Sequence, residues 1–442
     1  MKRQPLIILF ITVFIDLLGF GIVLPLLPVY ITHYGGRPWV GGALLATFSV
    51  MQFIFSPIWG RISDSHGRRP MILLSLIGSA ISFFFFGAAP NLAVLFIARV
   101  AAGILSAASL PTSQAYIADV TPPEKRAGGM AIIGAAFGLG FAFGPVIGGF
   151  MSQHPLHGIT PLAMPAYFAA AMSLANFVWA FFMLPETHHD RSTEEQERGP
   201  LAAFKAMARA LHAPSIRAQL LVFAFTTFAF TAVESSFSWL VILRFHDVIV
   251  ARAISDYQAL HAMPFSSLGA LVQRDLIEKA ATRVTSTIFA IVGVTILFVQ
   301  GAVMAGLARK VGEVRLVIFG TLLLTATLIG IAVAPSLPLI WLFSALIAVG
   351  SGVMNPSLNA LITKSAGPQE RGLLSGAQQG LGSLARIVAP PINNYLVGVS
   401  TPIPFVSSAV MMAVAFGLSL RLHQPALKPV APGEPEPASF GH

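Results

Sequence analysis

Asp16 and Glu234 stand where a charge is hard to keep. Of the chain's 18 acidic residues, they are the two that fall well inside long apolar stretches; Arg99 and Arg386 are the two basic residues that do so. A charge at the centre of a bilayer costs about 3 kcal/mol or more, so each should face a wet cavity or a partner. A carboxyl in such a cavity is suited to carry a proton. The alternative is that the acids and arginines are fixed structural ion pairs. Asp16 is also near enough to one end of its stretch to hydrogen-bond a neighbouring helix instead. Enzyme chemistry finds little support. The histidines lie mainly in polar segments, and there is no His-x-x-x-His, nucleophile elbow or metal-ligand cluster. Gly138-x-Gly140 lacks the third glycine and the preceding strand of a dinucleotide site. With no Gly-x-x-x-x-Gly-Lys for ATP, the expectation is no cofactor, no metal and energy from a gradient.

Two glycine-bearing segments could control movement. Gly60-Arg-Ile-Ser-Asp64-Ser-His-Gly67-Arg68-Arg69-Pro70 connects two apolar stretches. Its glycines permit a tight turn, Asp64 can pair with an arginine or accept from a helix N-terminus, and Arg68 and Arg69 suit a headgroup surface. Such a contact can hold one side closed and yield when the parts rock. Gly138, Gly140, Gly144, Pro145, Gly148 and Gly149 share one stretch. Glycines on a helix face let another helix approach closely, and the proline bends its helix.

The elements that must position these residues are apolar spans. The chain has 442 residues, 55% hydrophobic and 10% charged, against about 25% charged in a soluble domain. Twelve stretches, near 6–28, 42–60, 71–89, 92–116, 128–150, 164–184, 216–243, 285–307, 314–334, 337–362, 372–397 and 402–421, are long enough to cross hydrocarbon. Packed membrane helices tolerate the 39 glycines and 31 prolines. Cysteine is absent, so there is no disulfide framework. The net charge of +9 is a topology signal rather than a nucleic-acid signal. With the N-terminus in the cytoplasm, most of the 27 lysines and arginines fall on that side, and both termini are cytoplasmic. Lys2-Arg3 before an apolar run imitates a signal peptide, but no small-x-small cleavage site follows and Asp16 interrupts the run. It reads as a retained first helix.

The chain also repeats itself. Pro90, Pro111, Pro123, Arg126 and Pro145 return as Pro335, Pro356, Pro368, Arg371 and Pro390, and Gly67 returns as Gly312, all at one offset. Two like halves in a membrane chain point to a transporter with its site between them. The halves are 1–184 and 216–422, joined by a polar linker, 185–215, in which Leu201 to His212 should form a short amphipathic helix on the leaflet. An extracellular or periplasmic insertion, 244–284, should carry one or two amphipathic helices broken near Pro264. It either caps that face or serves a partner or gate. The proline-rich tail, 423–442, should be disordered.

The resemblance now becomes specific. Gly60 to Pro70 resembles the loop signature of the major facilitator superfamily, and Arg99-Val-Ala-Ala-Gly103 resembles its fourth-helix signature. Gly138-Leu-Gly-Phe-Ala-Phe-Gly-Pro145-Val-Ile-Gly-Gly149 resembles the fifth-helix signature of its proton-coupled exporters. Phe14 to Pro28 resembles the first helix of the tetracycline-resistance-like branch of the drug:proton antiporters. The likeness covers about 6–421. It implies an all-α membrane protein of twelve transmembrane helices in two pseudo-symmetric six-helix bundles. It also implies efflux of lipophilic small molecules by proton antiport, with Asp16, Glu234 and Arg99 in proton coupling. Gly60, Asp64, Gly67, Arg68 and Arg69 would form the conformational gate, and the glycines around Pro145 would shape a helix-5 bend. The family's central site is lined by helices on which Gln52, Gln114, Gln300, Asn355, Asn359, Gln378, Gln379 and Arg386 are polar at membrane depth, so these are cavity candidates. Implied partners are a small-molecule substrate, protons and the bilayer, with no nucleic acid. The expected setting is a monomer in a bacterial inner (plasma) membrane. The tetracycline pumps have an acid in the third helix, whereas Gly78-Ser-Ala-Ile-Ser-Phe has none, which argues against tetracycline itself. The competing readings are a proton symporter for a nutrient and a transporter-like receptor or scaffold.

Overall fold

Where no water can satisfy a peptide group, the backbone must satisfy itself, and an apolar run does so as a helix. In a computed structural model, the described residues are 3–121, 126–154, 156, 158–187, 208, 209, 212, 214–259, 264–365 and 371–422; among them there is no strand. Among the described residues, nine helices are long and apolar enough to cross a membrane: α1 (Leu6–His33), α2 (Pro38–His66), α3 (Arg68–Gly87), α4 (Leu92–Val120), α6 (Met164–Met183), α7 (Ile216–Arg244), α8 (Ala270–Val303), α9 (Glu313–Val333) and α10 (Leu337–Ile362). The helices α5 (Arg126–Gln153), α11 (Arg371–Val399) and α12 (Ile403–Ser419) complete the twelve. The side where α1 begins and α12 ends is called the near side, and the opposite one the far side.

Prolines and glycines sit where the helices deviate. Within α1 the turn Leu24–Leu26 tightens to a 3-10 helix around Pro25, and in α4 Ser106–Ala108 does so just ahead of Pro111. In each case proline takes away a backbone donor. The near-side turns after α2 and before α9 pass through Gly67 at φ 104° and Gly312 at φ 85°, a region that side chains disfavour. Repeat partners thus share a backbone conformation that only glycine adopts at little cost.

The six helices of each half form a bundle, and the two cores differ. Among the described residues, the second bundle has a large apolar cluster running from Ile216 to Leu422 and a small one of Val299, Leu316 and Val353. The first has a far-side cluster, including Leu18, Ile22, Phe86, Leu95 and Ala169, and a separate near-side one, including Leu9, Leu76, Tyr116 and Ala180. The insertion has one separate α-helix among the described residues, His246–Gln258, and a 3-10 turn, Phe265–Ser267. The segment expected to form a second helix opens α8 itself, which begins at Ala270 rather than near 285. Arg274–Glu278 and Lys279–Asp275 ion pairs on its surface, each i,i+4, support the extension. Pro264 lies outside any helix, between His246–Gln258 and the start of α8. The linker at 188–207, most of the expected leaflet helix, the tail at 423–442 and the side chain of Gln379 lie outside the described residues.

Candidate functional site

A cleft of about 380 Å³, mouth included, opens between the bundles. The first bundle contributes Phe20 and Leu24 from α1 and Leu45, Phe48 and Ser49 from α2; the second contributes Thr231, Glu234 and Ser235 from α7 and Arg386 and Pro390 from α11. Glu234 and Arg386 therefore face one space, and their charges act on each other across it without an ion pair closing between them. With two phenylalanines and three hydroxyls, the wall can hold an aromatic body, take up a charge of either sign and accept a proton.

Asp16 is elsewhere. Ser79 Oγ of α3 donates to Asp16 Oδ1 at 2.8 Å, and Ser109 of α4 bonds the same carboxyl. The carboxyl is therefore held inside the first bundle, and the third span supplies a serine where the tetracycline pumps have an acid. Arg99 is buried on α4. Its guanidinium lies 4.9 Å from the Phe86 ring centre and 5.9 Å from that of Phe48, and its Nε has no hydrogen-bond partner. Since Phe48 lines the cleft, Arg99 reaches that space through a ring. Hydroxyls thus surround the Asp16 carboxyl, and aromatic faces surround the Arg99 guanidinium.

The gate candidates form a network on the near side. Arg68 pairs with Asp64, and its Nε donates to Asp119 Oδ2 at 3.1 Å. Glu186, just past α6, accepts from the backbone N–H groups of Arg68 (2.9 Å) and Arg69 (3.1 Å). It thereby caps the start of α3, where a carboxylate suits the helix dipole. Arg69 donates to the Phe181 carbonyl. Gly60 has open space around it. These contacts join α2, α3, α4 and the end of α6. The second bundle has a counterpart with its charges exchanged. At the repeat offset Arg68 answers to Glu313 and Asp119 to Lys364, and Glu313 pairs with Lys364. Neither Asp119 nor Lys364 was singled out from sequence, although comparing charges across the repeat would have found both.

The far side is closed. A Cβ on Gly42 of α2 would strike the backbone of Pro390 and Pro391 of α11, one on Gly293 of α8 would strike Ala142 of α5, and one on Gly149 would lie 2.5 Å from Ser286 Cβ. Above these contacts Arg274 Nη2 donates to the carbonyls of Thr32 (2.9 Å) and His33 (2.6 Å), and Glu278 meets His33 Nδ1 at 3.2 Å. Burial first, then the Glu278 charge, push the Tyr34 hydroxyl up. Arg283 joins Gln153 of α5 (3.0 Å) to Asp256 of the extramembrane helix (2.7 Å).

The other candidates scatter. The fifth-helix glycines Gly140, Gly144 and Gly148 pack against Leu17, Gly21 and Ile22 of α1 within one bundle. The helix continues through Pro145. Gln300 comes close to Gly138 across the bundles. Gln378 Nε2 donates to Asn359 Oδ1 at 3.1 Å, linking α11 to α10. Gln114 and Asn355 are exposed, and Gln52 is half-buried. Of the seven cavity candidates whose side chains are described, only Arg386 is among the residues lining the cleft.

The Major Facilitator Superfamily profile matches residues 9–308 and 258–442. Multidrug resistance protein 1 of Bacillus subtilis (strain 168) is 28% identical over 96% of this chain and 98% of its own length. Tetracycline resistance protein, class E, of Escherichia coli is 30% identical over 90% and 88%. Among solved structures, the human organic anion transporter MFSD10 (TETRAN) superposes with a TM-score of 0.65 at 27% identity, covering 94% of this chain and 99% of that one.

Proposed function

The chain belongs to the major facilitator superfamily, and from that premise we propose that it is a proton-coupled antiporter exporting lipophilic small molecules by alternating access. As a member of a transporter family it is a multi-pass membrane protein that moves its cargo rather than transforming it. The observation that carries the reading is the cleft: Glu234 and Arg386 face a space between the bundles, with aromatic rings beside them and the far side closed. Glu234 takes a proton when the cleft opens to the far side and yields it when cargo arrives from the near side. Asp16 is a second proton site. Relatives named for multidrug and tetracycline resistance, which share nearly the whole chain, support the outward direction. The near side is then the cytoplasm of a bacterial cell, both termini lie there, the proton gradient supplies the energy, and one chain suffices. Everted vesicles test this: adding substrate should release protons, and Glu234→Gln or Asp16→Asn should abolish the release. Full coupling in both variants would sink the assignment.

A second reading has its own support. Arg386 presents a cation to the cleft, and MFSD10 is described as an organic anion transporter. The cargo would then carry an acidic group, and Arg386→Gln would cost acidic substrates far more than neutral ones.

A further inference from the structure

The apolar core of the first bundle falls into two clusters, and the layer between them, which also holds Val13, Ile15, Ala80, Ala107 and Ala108, is rich in hydroxyls. On α1 the near-side cluster ends at Leu9 and the far-side one starts at Leu18; on α3 the limits are Leu76 and Phe86, on α4 Tyr116 and Ala98, and on α6 Ala180 and Ala169. Between them lie Thr12 and Asp16 on α1, and Ser79 on α3. On α4 come Ser109, Thr112 and Ser113, and on α6 Ser173 and Asn176. Spacings of three and four place each set on one helix face. The same four helices pack together above and below, so the four gaps meet at one depth.

Asp16 accounts for Ser79 and Ser109. Thr12 Oγ1, Thr112 Oγ1, Ser113 Oγ, Ser173 Oγ and both polar atoms of the Asn176 side chain are buried without any partner. All five residues are at most 2% exposed. A buried unsatisfied polar group costs about 1–3 kcal/mol, so a dry core would not gather these in one layer. The ionisable residues between the limits are Asp16 and, at the far-side margin, Arg99, which lies over Phe48 and Phe86.

We propose that this layer is a water-filled chamber inside the first bundle, in which ordered waters link the unpartnered hydroxyls and Asn176 to Asp16 and give its carboxyl a proton-exchange route separate from the cleft that holds Glu234. A buried water needs two to four polar partners and room, and the layer offers a surplus of partners. The near-side cluster around Leu9, Leu76 and Tyr116 seals the chamber from that side, so the water is held rather than passing through.

Infrared spectroscopy of the purified full-length protein tests this without any transported substrate, so its failure is distinct from failure of the export reading. The carboxylic C=O band lost in Asp16→Asn is followed as H₂O is exchanged for D₂O. Asn176→Leu and Thr112→Val should slow deuteration of that band by an order of magnitude, and Thr112→Val should lower the melting temperature because bound waters lose a ligand. In a dry layer, removing an orphan hydroxyl relieves a penalty. Thr112→Val would then raise the melting temperature and leave the exchange rate unchanged, which overturns the proposal. Absence of an Asp16-dependent band at any pH overturns it as well. So does loss of the band in sodium chloride but not in choline chloride, which marks a metal-cation site. Ser113→Ala gives the same comparison where Asn176→Leu fails to fold.

Discussion

A carboxylate and a guanidinium that share a space without closing on each other each remain able to answer a third group. Glu234→Gln should therefore leave binding of a neutral aromatic ligand within a few-fold while abolishing substrate-triggered proton release in everted vesicles; equal loss of both would mean that Glu234 only shapes the cleft. Arg68 is the opposite case, a buried cation satisfied by Asp64 and Asp119. Taking away one member of such a group strands the others, so Arg68→Ala should destabilise the protein by about 3 kcal/mol, seen as a lower melting temperature in detergent. Both ends of this contrast show in the sequence: Glu234 and Arg386 as charges inside apolar runs, Arg68 as part of the charged segment between two of them. What holds Asp16 does not: Ser79 and Ser109 are ordinary residues for membrane helices, and only packing reveals their role. The polar cavity candidates mislead for the same reason. A glutamine at membrane depth can face the cleft, another helix or open space, and its spacing does not tell which.

Among elements, close approach is set by glycine. A side chain at Gly144 would stand 2.8 Å from the backbone of Gly21, which cannot move aside as a side chain can. Gly144→Leu should therefore cost about 1–3 kcal/mol by overpacking and should reduce the folded yield, whereas Gly60→Ala, in open space, should be neutral. The exchanged pair tests whether the two near-side contacts are equivalent structures. Arg68→Asp with Asp119→Arg should recover most of the stability that either single change loses, if polarity matters less than pairing. No recovery would show that Asp64 and the helix start fix the polarity. At this scale the spans were legible because bilayer thickness dictates their length. The start of α8 was not, since its first turns are stabilised by surface ion pairs rather than by apolar content.

For the whole molecule, the sealed far side is the state to interrogate, and the absence of native cysteine makes that direct. A disulfide between Gly149→Cys and Ser286→Cys joins α5 to α8 across the bundles, where the two side chains would lie closer than the usual Cβ separation. Oxidation should stop transport and reduction should restore it; undiminished transport in the cross-linked protein would mean that the far side opens elsewhere. The halves were readable from the repeat, but their inequality was less so: the repeat aligns prolines and glycines, which set the backbone, and is silent on which core stays closed. One element spans all of these regions. Helix α8 begins at Arg274's clamp on the carbonyls of Thr32 and His33, passes Ala142 at Gly293, and ends in a π-turn, Val299–Val303, that contains Gln300. From that turn to Arg274 is roughly 38 Å of helix. It is a lever: a tilt of about 10° at the π-turn swings the Arg274 end by roughly 7 Å, well beyond hydrogen-bond reach. The far-side clamp would thus release abruptly on a small displacement near the other end, and the long insertion would act as mechanical gain.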